Sequence, residues 1–179
     1  MATPSKAWLL RLAQDCLVAV SPGYMVEYLP SARMIPVPLT PRHAPGVLVW
    51  RSRLIPVLDL GILLTDSPPV ATPQRRAMVL AYQALPGAVV HHGALFVQAP
   101  PTEIDVTDGM ACALPDKPAI WEQLSHACFL YEKQRVPVIN LLWVFMRSYA
   151  SLPHSVPEAV VHDPLPAALG MENPAPGII

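Results

Sequence analysis

The chain has 179 residues, of which 53 % are hydrophobic and 14 % are charged, and its formal net charge is −1. A charge this close to zero offers no broad basic surface, which argues against partners such as nucleic acid or acidic lipid. Because the charged share falls well below the usual value of roughly 25 %, we expect exposed apolar patches of the kind that mark protein–protein contact sites.

Cysteines and apolar runs indicate the compartment. Cys16, Cys112 and Cys128 share no CxxC spacing, so we expect reduced thiols and no disulfide framework. Arg11 interrupts the first apolar run, which is therefore too short for a signal peptide. Residues 77–102 carry no charged side chain, but the prolines and polar residues among them argue against membrane insertion. We predict a cytoplasmic protein.

The predicted elements begin with a short N-terminal helix within residues 1–14. Ser5 can cap this helix, and Trp8, Leu9 and Leu12 would share one helical face. The 23 prolines of the whole chain, against eight glycines, favour short strands and fixed loops over a helical bundle.

A first lobe is predicted over residues 15–66. Two apolar runs around a Pro-Gly turn, residues 16–20 and 24–29, predict a β-hairpin. A clearer hairpin, VLVW-RS-RLIPVL, begins at residue 47 and leads into the short helical stretch GILL. The run that follows is rich in proline and polar residues, so we place a linker at residues 67–75.

A second lobe with a closing helix is predicted over residues 76–146. The strand-like runs RAMVLAYQ, ALFVQA and TEIDVTD precede the hairpin ACFLY-EK-QRVPVI, and NLLWVFMRSYA is typical of a helix. Residues 151–179 contain scattered prolines without periodicity, which predicts a flexible tail.

The two hairpins repeat one pattern. Residues 47–64 align without a gap onto residues 128–145, which places Asp59 opposite Asn140 as candidate helix caps. Because one such unit is too small to bury both of its faces, we expect the two copies to share a core. The predicted fold is mostly β, with two lobes and short helices at the N-terminus and near the C-terminus.

Motifs for catalysis are absent from the sequence, which contains no P-loop, GxGxxG, GxSxG or HExxH. His91 and His92 would point to opposite faces of a strand, and His126 with Cys128 would supply only two ligands. We expect no enzyme activity, cofactor or metal. Two alternatives stay open: a module that binds a small molecule or peptide at the seam between the lobes, and an enzyme that uses Cys128 with a histidine.

Residues 46–64, GVLVWRSRLIPVLDLGILL, resemble the signature hairpin of the CheW-like family, and the resemblance extends over residues 15–146. It implies two SH3-like five-stranded β-barrels around a shared hydrophobic core. It also implies a cytoplasmic, non-catalytic adaptor that couples the cytoplasmic tip of a chemoreceptor to the regulatory domain of a CheA-type histidine kinase. Related adaptors serve type IV pilus, or twitching, pathways.

The same resemblance implies the partner-binding residues. Arg51 matches a family arginine linked with receptor contact, and beside Trp50 its guanidinium can bind a carboxylate or carbonyl of a receptor helix. The chain departs from the family pattern at Ser52, where glycine is usual, and at Met34, where many members carry an acidic residue; Glu132-Lys133 also replaces a common Asp-Gly. The candidate partner-binding residues are Met34, Trp50, Arg51 and Ser52, and the departures point to an unusual or accessory signalling partner.

Overall fold

The computed structural model describes residues 4–13, 15–65 and 74–147, and most of them lie in short strands. In chain order the elements are β1 (Ser5–Ala13), β2 (Cys16–Val20), β3 (Met25–Pro36), β4 (Gly46–Trp50), β5 (Arg53–Leu58), α1 (Leu60–Thr65), β6 (Gln74–Tyr82), β7 (His91–Phe96), β8 (Thr102–Val106), α2 (Trp121–Leu124), β9 (Ser125–Tyr131), β10 (Gln134–Ile139) and α3 (Leu141–Arg147). No helix among these residues is long and apolar enough to cross a membrane.

The strands form two five-stranded lobes, which confirms the predicted two-lobed β fold. Five strands close a barrel in the order β3-β4-β5-β7-β6, and the other five form a sheet in the order β8-β1-β2-β10-β9. The lobes therefore interleave along the chain and do not follow the predicted boundaries of 15–66 and 76–146. The reason is the parallel pairing of β5 with β7 and of β10 with β2, which joins strands that are distant in sequence.

The predicted N-terminal helix is wrong, because residues 5–13 form β1 at the interior of the open sheet, between β2 and β8. Leu10 and Leu12 face the core between the lobes, whereas Ala7 and Leu9 pack with the cluster on the other face of the sheet. A strand that is buried on both faces is apolar at consecutive positions. It therefore lacks the alternation that distinguishes a strand from a helix.

Two further predictions differ from the structure or lie outside it. The strands at residues 16–20 and 24–29 exist, but β2 belongs to the open sheet and β3 to the barrel, so the Pro-Gly turn carries the chain between lobes and closes no hairpin. Gln74 and Arg75, which we predicted to lie in the linker, begin β6. The rest of the linker, residues 67–73, and the tail at 151–179 lie outside the described residues.

The repeat is present in three dimensions. Both copies fold as strand, two-residue turn, strand and short helix, in β4-β5-α1 and in β9-β10-α3. The predicted caps form: Asp59 Oδ1 accepts the backbone N–H of Ile62 at 3.4 Å, and Asn140 Oδ1 accepts that of Trp143 at 3.1 Å.

A shared hydrophobic core joins the two lobes, as predicted. Its largest cluster takes side chains from both sheets, among them Leu10 and Val18 of the open sheet and Leu58 and Leu80 of the barrel. Of the two smaller clusters, one fills the interior of the barrel and the other packs against the face of the open sheet that points away from the shared core. The short helices α1 and α3 lie against the shared core, so each hairpin unit completes the interior of the whole domain.

Candidate functional site

A groove opens at the barrel where β3 separates from β4. Met34 pairs with Leu48 at the start of the β3–β4 ladder, whereas the preceding part of β3 pairs with β6 after a shift in register. The groove between the diverging strands has a volume of about 650 Å³ and is lined by residues that include Met34, Leu48, Trp50 and Arg51. Three of the four predicted binding residues therefore meet in one place, and Ser52 lies beside them at the turn.

The β4–β5 turn has the same backbone conformation as its counterpart in the second copy. Arg51 and Ser52 have φ values of 45° and 62°, and Glu132 and Lys133 have φ values of 45° and 66°. Two consecutive residues with positive φ are typical of a type I′ hairpin turn, which favours glycine or asparagine. Ser52 thus adopts the left-handed conformation that the usual glycine would adopt with less strain.

Glu27 connects the groove to the turn. Its Oε2 accepts a hydrogen bond from Trp50 Nε1 at 2.9 Å and one from Arg51 Nη2 at 3.0 Å. The Arg51 guanidinium also lies over the Trp50 ring, with Cζ 4.7 Å from the ring centroid. Trp50 is buried, whereas the side chain of Arg51 is 66 % exposed. The cation therefore stays accessible while the ring and the carboxylate fix its position.

Sequence reasoning missed Glu27, although the sequence contains a signal for it. Glu27 is the only acidic residue between Asp15 and Asp59, and it stands in the otherwise apolar run YMVEYL. A carboxylate at such a position requires a partner when it is partly buried. Trp50 and Arg51, which are distant from Glu27 in the sequence, supply that partner, and only the fold shows this contact.

His92 also packs next to Trp50. The two ring centroids are 5.0 Å apart and the ring planes are inclined by 36°. Burial lowers the pKa of His92, and the nearby cations Arg53 and Arg51, together with His91, lower it further. The imidazole therefore resists protonation beside a site that already carries a cation.

Apolar side chains remain exposed on the outer face of each hairpin, as the composition predicted. Val49 of β4 pairs with Leu54 of β5, and their exposed fractions are 62 % and 67 %. In the second copy, Leu130 occupies the position of Val49 and is also exposed. Such residues are suited to contact with another protein.

The geometry is less suited to catalysis or to ligand binding at the seam. Burial, followed by the hydrogen bond with Cys112, raises the pKa of Cys128 to about 12, so its thiol is protonated at neutral pH and is a poor nucleophile. The described residues contain no cluster of three side chains that could hold a metal ion. Between the two lobes, the shared core occupies the interior, and a small cavity of about 210 Å³ remains at the surface, lined by residues that include Tyr82, His126 and Leu142.

Comparisons with known proteins agree with this architecture. The family model of the CheW-like domain matches residues 7–111. Among solved structures, the scaffolding protein TtCheW from Thermoanaerobacter tengcongensis is similar, with a TM-score of 0.62 and 16 % sequence identity. The match covers 79 % of this chain and 87 % of that chain, which shows a common fold. No curated protein sequence matches.

Proposed function

Because this chain belongs to the CheW-like domain family, we propose that it is a non-catalytic adaptor of bacterial chemotaxis-type signalling in the cytoplasm. In this proposal it couples the cytoplasmic tip of a chemoreceptor, or of a pilus-type sensory receptor, to the regulatory domain of a CheA-type histidine kinase. The observation that carries the proposal is the groove at which Met34, Trp50 and Arg51 meet, with Glu27 holding the cation in place.

The shape and chemistry of the groove support a receptor helix as its occupant. An α-helix with its side chains is about 10–12 Å wide and binds a groove through an apolar stripe. Met34 and the partly exposed Leu29 supply apolar walls, and Arg51 supplies a cation at one end. A guanidinium has five N–H donors, and one of them is used by Glu27, so Arg51 can also bind a carboxylate or carbonyl of the receptor.

Kinase contact belongs on apolar surface outside the receptor groove in this proposal. Leu54 and Leu130 lie on the outer faces of the two hairpins and do not line the groove. We expect each partner to bury a modest area, at or below about 1,200–1,600 Å², which is typical of transient signalling complexes.

The test for receptor binding reverses one charge at each of the two equivalent turns. Arg51→Glu should weaken binding of a co-encoded receptor's cytoplasmic tip at least tenfold, measured by calorimetry, because it replaces the exposed cation with an anion. Lys133→Glu makes the same change of charge on the second turn and should leave receptor affinity unchanged. Both side chains are exposed, so circular dichroism should remain that of the wild type.

Three outcomes would count against the adaptor proposal. Equal weakening by Arg51→Glu and Lys133→Glu would show a general charge effect and no specific site. Unfolding of Arg51→Glu would show that Arg51 is structural. Absence of binding to both the receptor tip and the kinase regulatory domain would remove the coupling function.

Leu54→Glu and Leu130→Glu should weaken only the kinase interaction.

A further inference from the structure

Two of the three cysteines lie side by side at the edge of the open sheet. Ala111 forms an antiparallel bridge with Phe129 of β9, and the backbone N–H of Cys112 donates to the carbonyl of Cys128 at 3.0 Å. This register places the two cysteines opposite each other, and their Sγ atoms are 3.5 Å apart. Both thiols are reduced in the structure.

The pair sits where the two edges of the open sheet are connected. The edge strands are β8 and β9, and the chain that leaves β8 reaches β9 through the short turn Asp108–Met110. The bridge at Ala111 and the hydrogen bond of Cys112 attach this connecting segment to β9. A covalent bond at this point would connect the two edges of the open sheet and hold that lobe closed.

A second contact positions the segment from the neighbouring strand. Arg135 of β10 donates from Nη1 to the carbonyl oxygen of Leu114 at 3.1 Å, and the same nitrogen lies 3.9 Å from the carboxylate of Asp116. The segment that carries Cys112 is therefore held against the sheet on both sides of the thiol pair. Little backbone movement is needed to bring the two sulfur atoms into bonding distance.

We propose that Cys112 and Cys128 are a reversible redox pair. Their oxidation to a disulfide attaches the connecting segment covalently to β9 and closes the lobe that contains the open sheet. Opposed residues of an antiparallel ladder have Cα atoms about 4.5–5.5 Å apart, which lies within the range of roughly 4.4–6.8 Å found in disulfides.

The reaction requires an oxidant of the low-molecular-weight disulfide class, such as oxidised glutathione. The thiolate of Cys112 attacks one sulfur of this disulfide, the disulfide bond breaks, and one thiol leaves with a proton. Cys128 then loses its proton and attacks the Cys112 sulfur, so that the second small thiol leaves. One oxidant is reduced to two thiols as two protein thiols become one disulfide.

Accessibility determines the order of these two steps. Cys112 is partly exposed, whereas Cys128 is buried, so an external oxidant meets Cys112 first. Burial, followed by the hydrogen bond with Cys112, raises the pKa of Cys128 to about 12, which also favours Cys128 as the second thiol to react. Cys16 is buried in the shared core, and burial raises its pKa to about 11, so we expect it not to react with the oxidant.

The test uses the full chain, incubated with oxidised glutathione and then analysed by intact mass and peptide mapping. We expect a monomer that has lost two hydrogens, with Cys112 and Cys128 in one cross-linked peptide pair and Cys16 still reactive after denaturation. The oxidised protein should melt roughly 5–10 °C higher than the reduced protein, because the bond closes a loop of moderate length in the unfolded chain. Dithiothreitol should reverse both changes.

Matched variants separate the proposed pair from other thiol chemistry. Cys16→Ala should oxidise like the wild type, whereas Cys112→Ser and Cys128→Ala should each lose the cross-link and the rise in melting temperature. A stable glutathione adduct on wild-type Cys112, a disulfide between two chains, or thiols that all stay reduced would each overturn the proposal. Because Cys112 is the more exposed partner, Cys112→Ser keeps the test valid if Cys128→Ala fails to fold.

Discussion

The buried carboxylate of Asp59 is paired with the guanidinium of Arg75, and their side chains are only 4 % and 15 % exposed. Asp59 belongs to the first copy of the repeat, where it also caps α1, and Arg75 lies near the start of β6. The guanidinium packs over Phe96 inside the barrel, with Cζ 3.9 Å from the ring centroid. This ion pair thus joins the end of the first hairpin unit to the strand that continues the barrel.

Asp59→Asn should destabilise the protein by about 3 kcal/mol, because it leaves the buried Arg75 cation without its anion while keeping a capping side chain. Asn140→Ala is the matched control at the equivalent position of the second copy, where the cap has no charged partner among the described contacts. It should cost about 1 kcal/mol. Urea denaturation measures both values, and almost no loss in Asp59→Asn would show that Asp59 acts only as a cap.

Gly93→Ala should loosen the contact between the barrel and α3. A Cβ atom at Gly93 would lie 2.3 Å from Cε1 of Phe145, whose ring stacks on Tyr82 with centroids 4.9 Å apart. The ring must move, which should cost about 1–3 kcal/mol in the free energy of unfolding. Gly23→Ala is the control, since its Cβ would meet no atom within 4 Å.

A double variant tests whether Phe145 is the cause of this loss. Phe145→Leu removes the ring edge that the new methyl group would strike, although it also removes packing of its own. The combined loss in Gly93→Ala/Phe145→Leu should be smaller than the sum of the single losses, because the two changes meet at one contact. Strict additivity in thermal or urea denaturation would contradict this reading of the interface.

Glu27→Ala should destabilise the barrel more than Arg51→Ala does. The first change removes the acceptor of the partly buried Trp50 N–H, which should cost about 1–2 kcal/mol. The second removes the exposed ion pair, which the first change also removes, and the cation–π contact with Trp50; each contributes less than about 1 kcal/mol at an exposed site. Glu27→Gln keeps an acceptor oxygen and should stay close to the wild type. The opposite ranking in urea denaturation would show that the ion pair dominates.

His92 should make the protein less stable in mild acid. Its pKa lies below the ordinary value of 6.5, mainly because of burial and then because of Arg53, Arg51 and His91. The unfolded chain therefore takes up a proton more readily than the folded protein. The contribution of His92 is fully present above pH 6.5 and is lost as the pH falls through that value towards the folded pKa.

The measurement compares urea midpoints at pH 7.5 and pH 5.5 for the wild type and His92→Gln. We expect the wild type to lose more stability than the variant between these two values of pH. Other histidines contribute equally to both proteins, so the difference isolates His92. An equal loss in both would show that burial and the two arginines do not disfavour its protonation.

The binding groove was only partly predictable from the sequence. Its predicted residues Trp50, Arg51 and Ser52 are contiguous, and a two-residue hairpin turn brings such neighbours together wherever the hairpin is placed. Prediction of Met34 as a binding residue required a known family pattern. Identification of Glu27 required the pairing of β3 with its neighbours in the barrel. The Cys112–Cys128 pair, in contrast to Glu27, carried no signal in the sequence, because its spacing matches no known motif.

Local patterns in the sequence were enough to predict the two hairpin units, with their helix caps and apolar faces. These features depend on contacts between residues a few positions apart, so 18 contiguous residues contain all the information they need. The three-dimensional fold was needed to show that residues 5–13 form a strand, that β5 joins β7 and β2 joins β10, and that the lobes interleave. Such pairings depend on which apolar faces of distant segments become buried against one another. They therefore depend on the whole chain and not on a local stretch of it.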